Sequence, residues 1–446
     1  MKKFLIIVGI VVLALAIAVY TQVPKFRIVT GYSSKYLCSY YFNSNRDWDE
    51  IIKSDLSYGF FKYASYSKDE DNKTVTARFL GFLTPQTAQW REGFGATLLS
   101  QGKILPTMQL HRNKRIPTAS TWPVDRGTHP KIDSLFDMQK LRSTLNDIFA
   151  DIQEDGQGTR AVVVLYDTIL VAQGYDTARV NKDSRMLGWS MSKSITADLL
   201  AIAQEQGKLD ISSPAPISAW QEDERKTITI ADLLHMNSGL EWNEDYGAVT
   251  DVTTMLYNSG DMAAFTAAKP LEHKPNNFWY YSSGTTNILS HILKESFDTQ
   301  DEYNDFPYKY LFDKISTDPI FEQDETGTYT GSSYVYATAV DWARFGLLHL
   351  KRGKWQGGEQ IIPDTWFDYI TEAAIGSNDK YGAQVWLNKG NKFPDLPKDM
   401  HSFDGHHGQI VMVIPSENMV IVRLGLNESP KFDYNKFGKA ILDCKR

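Results

Sequence analysis

Cysteine is scarce in this chain: Cys38 and Cys444 are the only two among 446 residues. They lie near opposite ends and lack metal-type spacing, which argues against a structural zinc site. An oxidising compartment would allow one disulfide between them, and two unpaired thiols are the alternative. No block of basic residues stands out and the formal net charge is −7, so nucleic acid is not an expected partner. Internal repeats and low-complexity tracts are absent. So are H-E-x-x-H and H-x-H, and no metal is expected.

What is present is an ordinary globular composition, 42% hydrophobic and 23% charged, with an aromatic share of 13% that suits an extended binding cleft. The length allows two or three domains and a large core. Lys2 and Lys3 precede an uncharged apolar run from Phe4 to Tyr20. That is the pattern of an export signal, with Ala16-Ile17-Ala18 as a possible cleavage site, or of a retained helical anchor with the body outside. The chain is thus expected to be exported. It would be anchored in the inner membrane facing the periplasm or extracytoplasmic space, or periplasmic if the signal is cleaved.

The expected organisation is a signal or anchor segment over 1–21, an N-terminal region of unknown role over 22–131, and a main domain over 132–446. In the N-terminal region, 27–31, 37–42 and 74–80 look strand-like, and Asp47 to Leu56 looks like a short capped helix. Residues 113–131 read as a connector. Beyond it, Asp137 to Ile152 has helical periodicity, and 161–166 with 169–172 read as a strand pair turning at Asp167-Thr168. Residues 205–370 are polar and helical. Strands return at 409–415 and 419–424, and a last helix runs from about Tyr434 to Leu442. Strands at both ends of one region with helices between predict one sheet assembled from both ends, with a helical insertion.

The chemistry gathers in three blocks. Gly-Trp-Ser-Met-Ser-Lys-Ser at 188–194 sets Ser190 and Lys193 three apart, before an apolar helical run. Residues three apart on a helix share a face. A lysine held neutral by burial can take the serine proton, and a helix start favours an oxyanion. The same spacing recurs at Ser65 and Lys68, where charged residues follow and an exposed hairpin tip is the better reading. The second block, Phe278-Trp-Tyr-Tyr-Ser-Ser-Gly, offers Tyr281 as a phenolate or proton carrier, or as core packing. The third, Gly405-His-His-Gly-Gln, opens a strand where backbone can approach a ligand and donate to an oxyanion. Trp242, Glu244, Asp245 and Tyr246 either line the cleft or form a solvated loop. Asp404 either orients His406 or turns the chain.

In order, S-x-x-K, Y-x-(N/S) and (K/H)-x-G resemble the serine β-lactamase and penicillin-binding-protein superfamily. Ile230-Ala-Asp-Leu-Leu-His-Met-Asn-Ser-Gly-Leu and Ala337-Thr-Ala-Val-Asp-Trp-Ala-Arg-Phe-Gly extend the resemblance over roughly 135–446. Ser238 to Tyr246 and Tyr281-Ser-Ser-Gly look closest to the class C-like branch, which includes esterases and 6-aminohexanoate-dimer hydrolases. The resemblance implies an α+β, β-lactamase/transpeptidase-like fold, an antiparallel sheet flanked by helices with a helical insertion subdomain. It implies Ser190 as nucleophile, Lys193 as base, Tyr281 as proton shuttle and His406 at the first position of the third motif. The oxyanion hole would use the backbone N–H of Ser190 and Gln409, with Ser283 and Gly408 on the substrate. Ser283 stands where asparagine is usual and His406 where lysine is usual, which turns the site from penicillins toward an ester or amide. The expected function is an exported serine hydrolase needing no cofactor and acting on a small-molecule or peptide-like substrate. A membrane-anchored binding protein on the same fold and a cell-wall D,D-peptidase are the alternatives.

Overall fold

The computed structural model describes residues 1–446 apart from 101, 116, 119, 130, 153–156, 429 and 430, and apart from the side chains of 2, 9, 11, 12, 14–16 and 18. The chain opens with one helix, Lys2–Ser44, followed by Trp48–Asp55, whose N-cap Asp47 accepts from the Glu50 amide. A four-stranded antiparallel sheet comes next: β1 (Ala64–Asp69), β2 (Thr74–Phe79), β3 (Leu83–Arg91) and β4 (Gly95–Leu99). The second half of the long helix packs along β2, β3 and β4.

This corrects two expectations. Residues 27–31 and 37–42 are helical, not strands. Their side chains are drawn into the helix because Val29, Leu37, Cys38 and Tyr40 all find buried contacts there. The anchor expected over 4–20 is not supported either. The helix does not end with the apolar run but continues through Pro24 into the packed half, and among the described residues no helix is long and apolar enough to cross a membrane.

The remaining strands are β5 (Val124–Asp125), β6 (Gly158–Tyr166), β7 (Ile169–Tyr175), β8 (Met186–Leu187), β9 (Ile320–Phe321), β10 (Val335–Ala337), β11 (Trp386–Leu387), β12 (His401–Gly405), β13 (Gln409–Ile414) and β14 (Met419–Leu426). Seven of them form one sheet in the order β11-β12-β13-β14-β6-β7-β5, antiparallel except where β5 lies parallel to β7. Its centre is the pairing of β14 with β6, so the sheet is built from both ends of the region, as predicted.

These central strands are continuous apolar runs because both faces are covered. Alternation sends Ala161, Val163, Leu165, Val411, Val413, Val420 and Val422 into one core, with helices Ser192–Glu205 and Ala339–Leu350. It sends Val162, Val164, Ile410, Met412 and Ile421 into a second, with Leu141, Phe437 and Ile441 of helices Met138–Phe149 and Tyr434–Leu442. Each such buried Val, Leu, Ile, Met or Phe side chain contributes about 1.5–3 kcal/mol before entropy is subtracted. Between β7 and β11 lie the inserted helices and the small sheet β8-β10-β9. The two cysteines are buried in different cores and unpaired.

The N-terminal region is joined to this body by polar contacts that converge on buried Glu322. Lys35 forms an ion pair with it, while Ser39 Oγ, Asn43 Nδ2 and the Ala96 amide donate to it at 2.8, 3.0 and 2.7 Å. A buried carboxylate needs that set of partners. The Leu187 amide donates to Tyr40 Oη at 3.1 Å, so the long helix also steadies the strand leading to Ser190.

Candidate active site

Ser190 sits in the single 3₁₀ turn Trp189–Met191, directly before the helix Ser192–Glu205 that carries Lys193. Trp189 holds a left-handed backbone, φ 50°. A bulky residue there costs on the order of 1–3 kcal/mol and persists only where its surroundings fix it. Trp189 is clamped by Tyr32, Tyr334 and His406, with ring centroids 6.1, 6.4 and 5.4 Å away. The turn that presents Ser190 is therefore held partly by the N-terminal helix.

Lys193 is buried, and its Nζ lies 3.0 Å from Ser190 Oγ, 2.9 Å from Ser283 Oγ and 3.0 Å from the Ser332 carbonyl oxygen. Burial brings the amine down to about 8, although nearby Glu244 favours its charged form. The second S-x-x-K lies on exposed β1, where residues three apart point to opposite faces. There Lys68 Nζ meets Tyr41 Oη at 2.6 Å and Glu70 at 2.9 Å, and the hairpin reading holds.

Ser282 caps the helix Ser283–Glu295, its hydroxyl accepting from the Thr285 amide, and this sets Tyr281 at the helix mouth. The Tyr281 ring stacks on Trp386 at 5.3 Å, meets Tyr381 edge-on at 5.6 Å, and lies 4.8 Å from Lys193 Nζ. Burial holds the phenol well above its ordinary value, and a hydrogen bond with Ser190 opposes this. That direction favours the protonated phenol over the phenolate.

The third block abuts the same turn. A Cβ on Gly405 would lie 2.2 Å from the Gly188 carbonyl oxygen, so the two backbones touch there. His406 is half-buried and stacks on Tyr246 at 4.9 Å, and desolvation together with His407 and Lys431 lowers it below the ordinary imidazole value. His407 has φ 62° and places Nε2 2.6 Å from Glu428 Oε1. Gly408 has φ 86°, and Arg423 behind it donates to its carbonyl at 3.0 Å. The Gln409 side chain is used up on Gly425, donating at 2.5 Å and accepting at 2.9 Å, which leaves only its backbone to face a ligand. Asp404 does not orient His406: it takes Lys392 at 2.5 Å and the Ser402 hydroxyl at 2.6 Å. A cavity of about 670 Å³ opens beside these residues, lined by Glu244, Tyr246, His406, Gly408 and Lys431 among others.

Glu244 belongs to the site rather than to a solvated loop. Its Oε2 accepts from Trp242 Nε1 at 2.6 Å and from the Ser283 amide at 2.8 Å, and its Oε1 accepts from Ser283 Oγ at 2.5 Å. Burial pushes its carboxyl up, and Lys193 with these donors pulls it back. Nothing in its spacing distinguishes it from its acidic neighbours, so sequence reasoning could not choose it. Among the described residues, His406, His407 and Glu428 are the group whose ligand atoms, within 4.8 Å of one another, could meet a cation. The arrangement as a whole joins a serine hydroxyl, a buried amine, a protonated phenol and a glycine-lined backbone edge. Those are the parts acyl transfer requires.

A family model described as Beta-lactamase matches residues 145–435. Among curated proteins none matches the sequence. Among solved structures, a candidate 6-aminohexanoate-dimer hydrolase from Bacillus anthracis is 18% identical with a TM-score of 0.53, covering 75% of this chain and 89% of its own. EstCE1, a hydrolase with promiscuous acyltransferase activity, is 14% identical with a TM-score of 0.53, covering 69% and 98%. A class C beta-lactamase is 14% identical with a TM-score of 0.52, covering 69% and 97%. At these identities the likeness is one of fold.

Proposed function

This chain belongs to the Beta-lactamase family, and we propose that it is a serine hydrolase cleaving an ester or amide bond through an acyl-enzyme on Ser190. The observation that carries the reading is Lys193, buried 3.0 Å from Ser190 Oγ and brought down to about 8. Ser190 Oγ attacks the substrate carbonyl as its proton passes to Lys193 Nζ. The oxyanion is held by the backbone N–H groups of Ser190 and Gln409, and one such donor is worth roughly 3 kcal/mol. Collapse breaks the bond to the leaving group, which leaves with a proton delivered through the Tyr281 hydroxyl and replaced from Lys193. Water then attacks the acyl ester and gives its proton to the same pair, which passes it to Ser190 Oγ as the Oγ–acyl bond breaks, releasing the acid and free Ser190.

Substrate class follows from the third block. Where a lysine would bring a permanent cation to a substrate carboxylate, His406 brings an imidazole held below its ordinary value, which favours an ester or amide over a carboxylate-bearing β-lactam. The export expected from Lys2, Lys3 and the apolar run stays part of this proposal. N-terminal sequencing of protein recovered from outside the cytoplasm would test it. For the activity, p-nitrophenyl esters are the direct test: wild type turns them over and Ser190→Ala does not. Equal turnover by the two would reject the reading.

A further inference from the structure

The three partners of Lys193 Nζ fix more than its position. A charged ammonium donates to all of them. A neutral amine has two N–H bonds and one lone pair, so one of the three contacts must run the other way. The Ser332 carbonyl oxygen, 3.0 Å away, has no proton to give. Ser283 Oγ, 2.9 Å away, has one, but that proton points to Glu244 Oε1 at 2.5 Å. Only the Ser190 hydroxyl is left to donate.

We infer that Glu244 is a positioning residue for the proposed reaction: by taking the Ser283 proton it turns the lone pair of neutral Lys193 onto Ser190. The inference rests on the serine-hydrolase reading above. It also accounts for serine at 283. A hydroxyl can pass the direction of a hydrogen bond from the carboxylate to the amine, and it needs an acceptor on its far side to do so. Glu244 is held rigidly for that task, because Trp242 Nε1 and the Ser283 amide both donate to its other oxygen, at 2.6 and 2.8 Å.

Glu244→Gln is nearly isosteric and reverses the polarity. The two N–H donors claim the single amide oxygen, so the amide NH2 faces Ser283 Oγ. Ser283 accepts from it and turns its own proton onto the Lys193 lone pair, which can then no longer receive the Ser190 proton. Adding Ser283→Ala removes the hydroxyl that captures the lone pair.

The test is the rate at which a fluorophosphonate labels Ser190 in the full-length protein near pH 8, with thermal melting as a check on folding. General-base assistance is worth about 10²–10⁴. Labelling of E244Q should therefore be slower than wild type by about 10- to 100-fold, with ester kcat falling and KM held. The double variant E244Q/S283A should label faster than E244Q and match S283A, a rescue that a merely structural role would not produce. E244Q labelling as fast as wild type, or a double variant no faster than E244Q, overturns the inference while leaving Ser190 as nucleophile. Wild type labelled no faster than Ser190→Ala defeats the hydrolase reading itself, and the inference with it.

Discussion

The protonation state of Lys193 sets how fast Ser190 can be acylated, and a pH profile reads it directly. Burial brings the amine from 10.5 to about 8. At pH 7 about one molecule in ten then carries the neutral base, against about one in 3,000 for an ordinary lysine, so burial raises the active form about 300-fold. The acylation rate, followed as the burst of p-nitrophenol or as fluorophosphonate labelling, should climb about tenfold per pH unit from pH 6 and level off above about 8. The linked stability has a definite sign. The folded state binds this proton less tightly than the unfolded chain, so the fold is favoured above 10.5 and loses stability as pH falls toward about 8. The loss is of order 3 kcal/mol, at 1.36 kcal/mol per unit. Lys193→Met should abolish both labelling and that slope in denaturant titrations. A flat acylation profile, or one still rising to a midpoint near 10.5, would refute the assignment of a buried neutral lysine as base.

Tyr281→Phe keeps the stack on Trp386 and loses the hydroxyl. It should slow acylation by an amide about 100-fold or more, and acylation by a p-nitrophenyl ester, whose leaving group needs no proton, much less; single-turnover kinetics on a matched pair of substrates decides this. Gly408→Ala forces a side chain to φ 86° and puts its Cβ 2.5 Å from Arg423 Nη1, so chemical denaturation should show a loss of about 1–3 kcal/mol. Tyr32→Ala removes a buried ring that stacks on Trp189. It should cost about 3 kcal/mol in unfolding free energy and lower ester kcat more than it raises KM, although residue 32 lies outside the family-matched segment. Unchanged kcat in a folded Tyr32→Ala protein would show that Trp189 does not need the N-terminal helix.

The sheet was legible because its strands are buried on both faces and written as unbroken apolar runs. β6, β13 and β14, and the helix Tyr434–Leu442, fall where the pattern put them. The cap at Asp47 was legible for a local reason, a side chain reaching an amide three residues on. Residues 27–31 and 37–42 were not, because a short β-branched and aromatic run has no period long enough to tell helix from strand. What decides them is packing on β2 to β4. At the site, Ser190 and Lys193 are close in sequence and could be paired by spacing. Glu244 reaches Ser283 from 39 residues away. Tyr281 was legible from its block, but its burial among rings from Tyr381 and Trp386 comes from distant chain and was not. Asp404 misled for the converse reason: its nearness to His406 in sequence counts for less than Lys392, with which it pairs in space.

The proposed reaction passes through a covalent intermediate on one side chain. Mixing the protein with a p-nitrophenyl ester, quenching in acid within the burst and mapping peptides by mass spectrometry tests it most directly. One acyl group is expected on the Ser190 hydroxyl, absent from Ser190→Ala and accumulating in Tyr281→Phe. Turnover without any adduct at Ser190, or an acyl group carried by another residue, would contradict it.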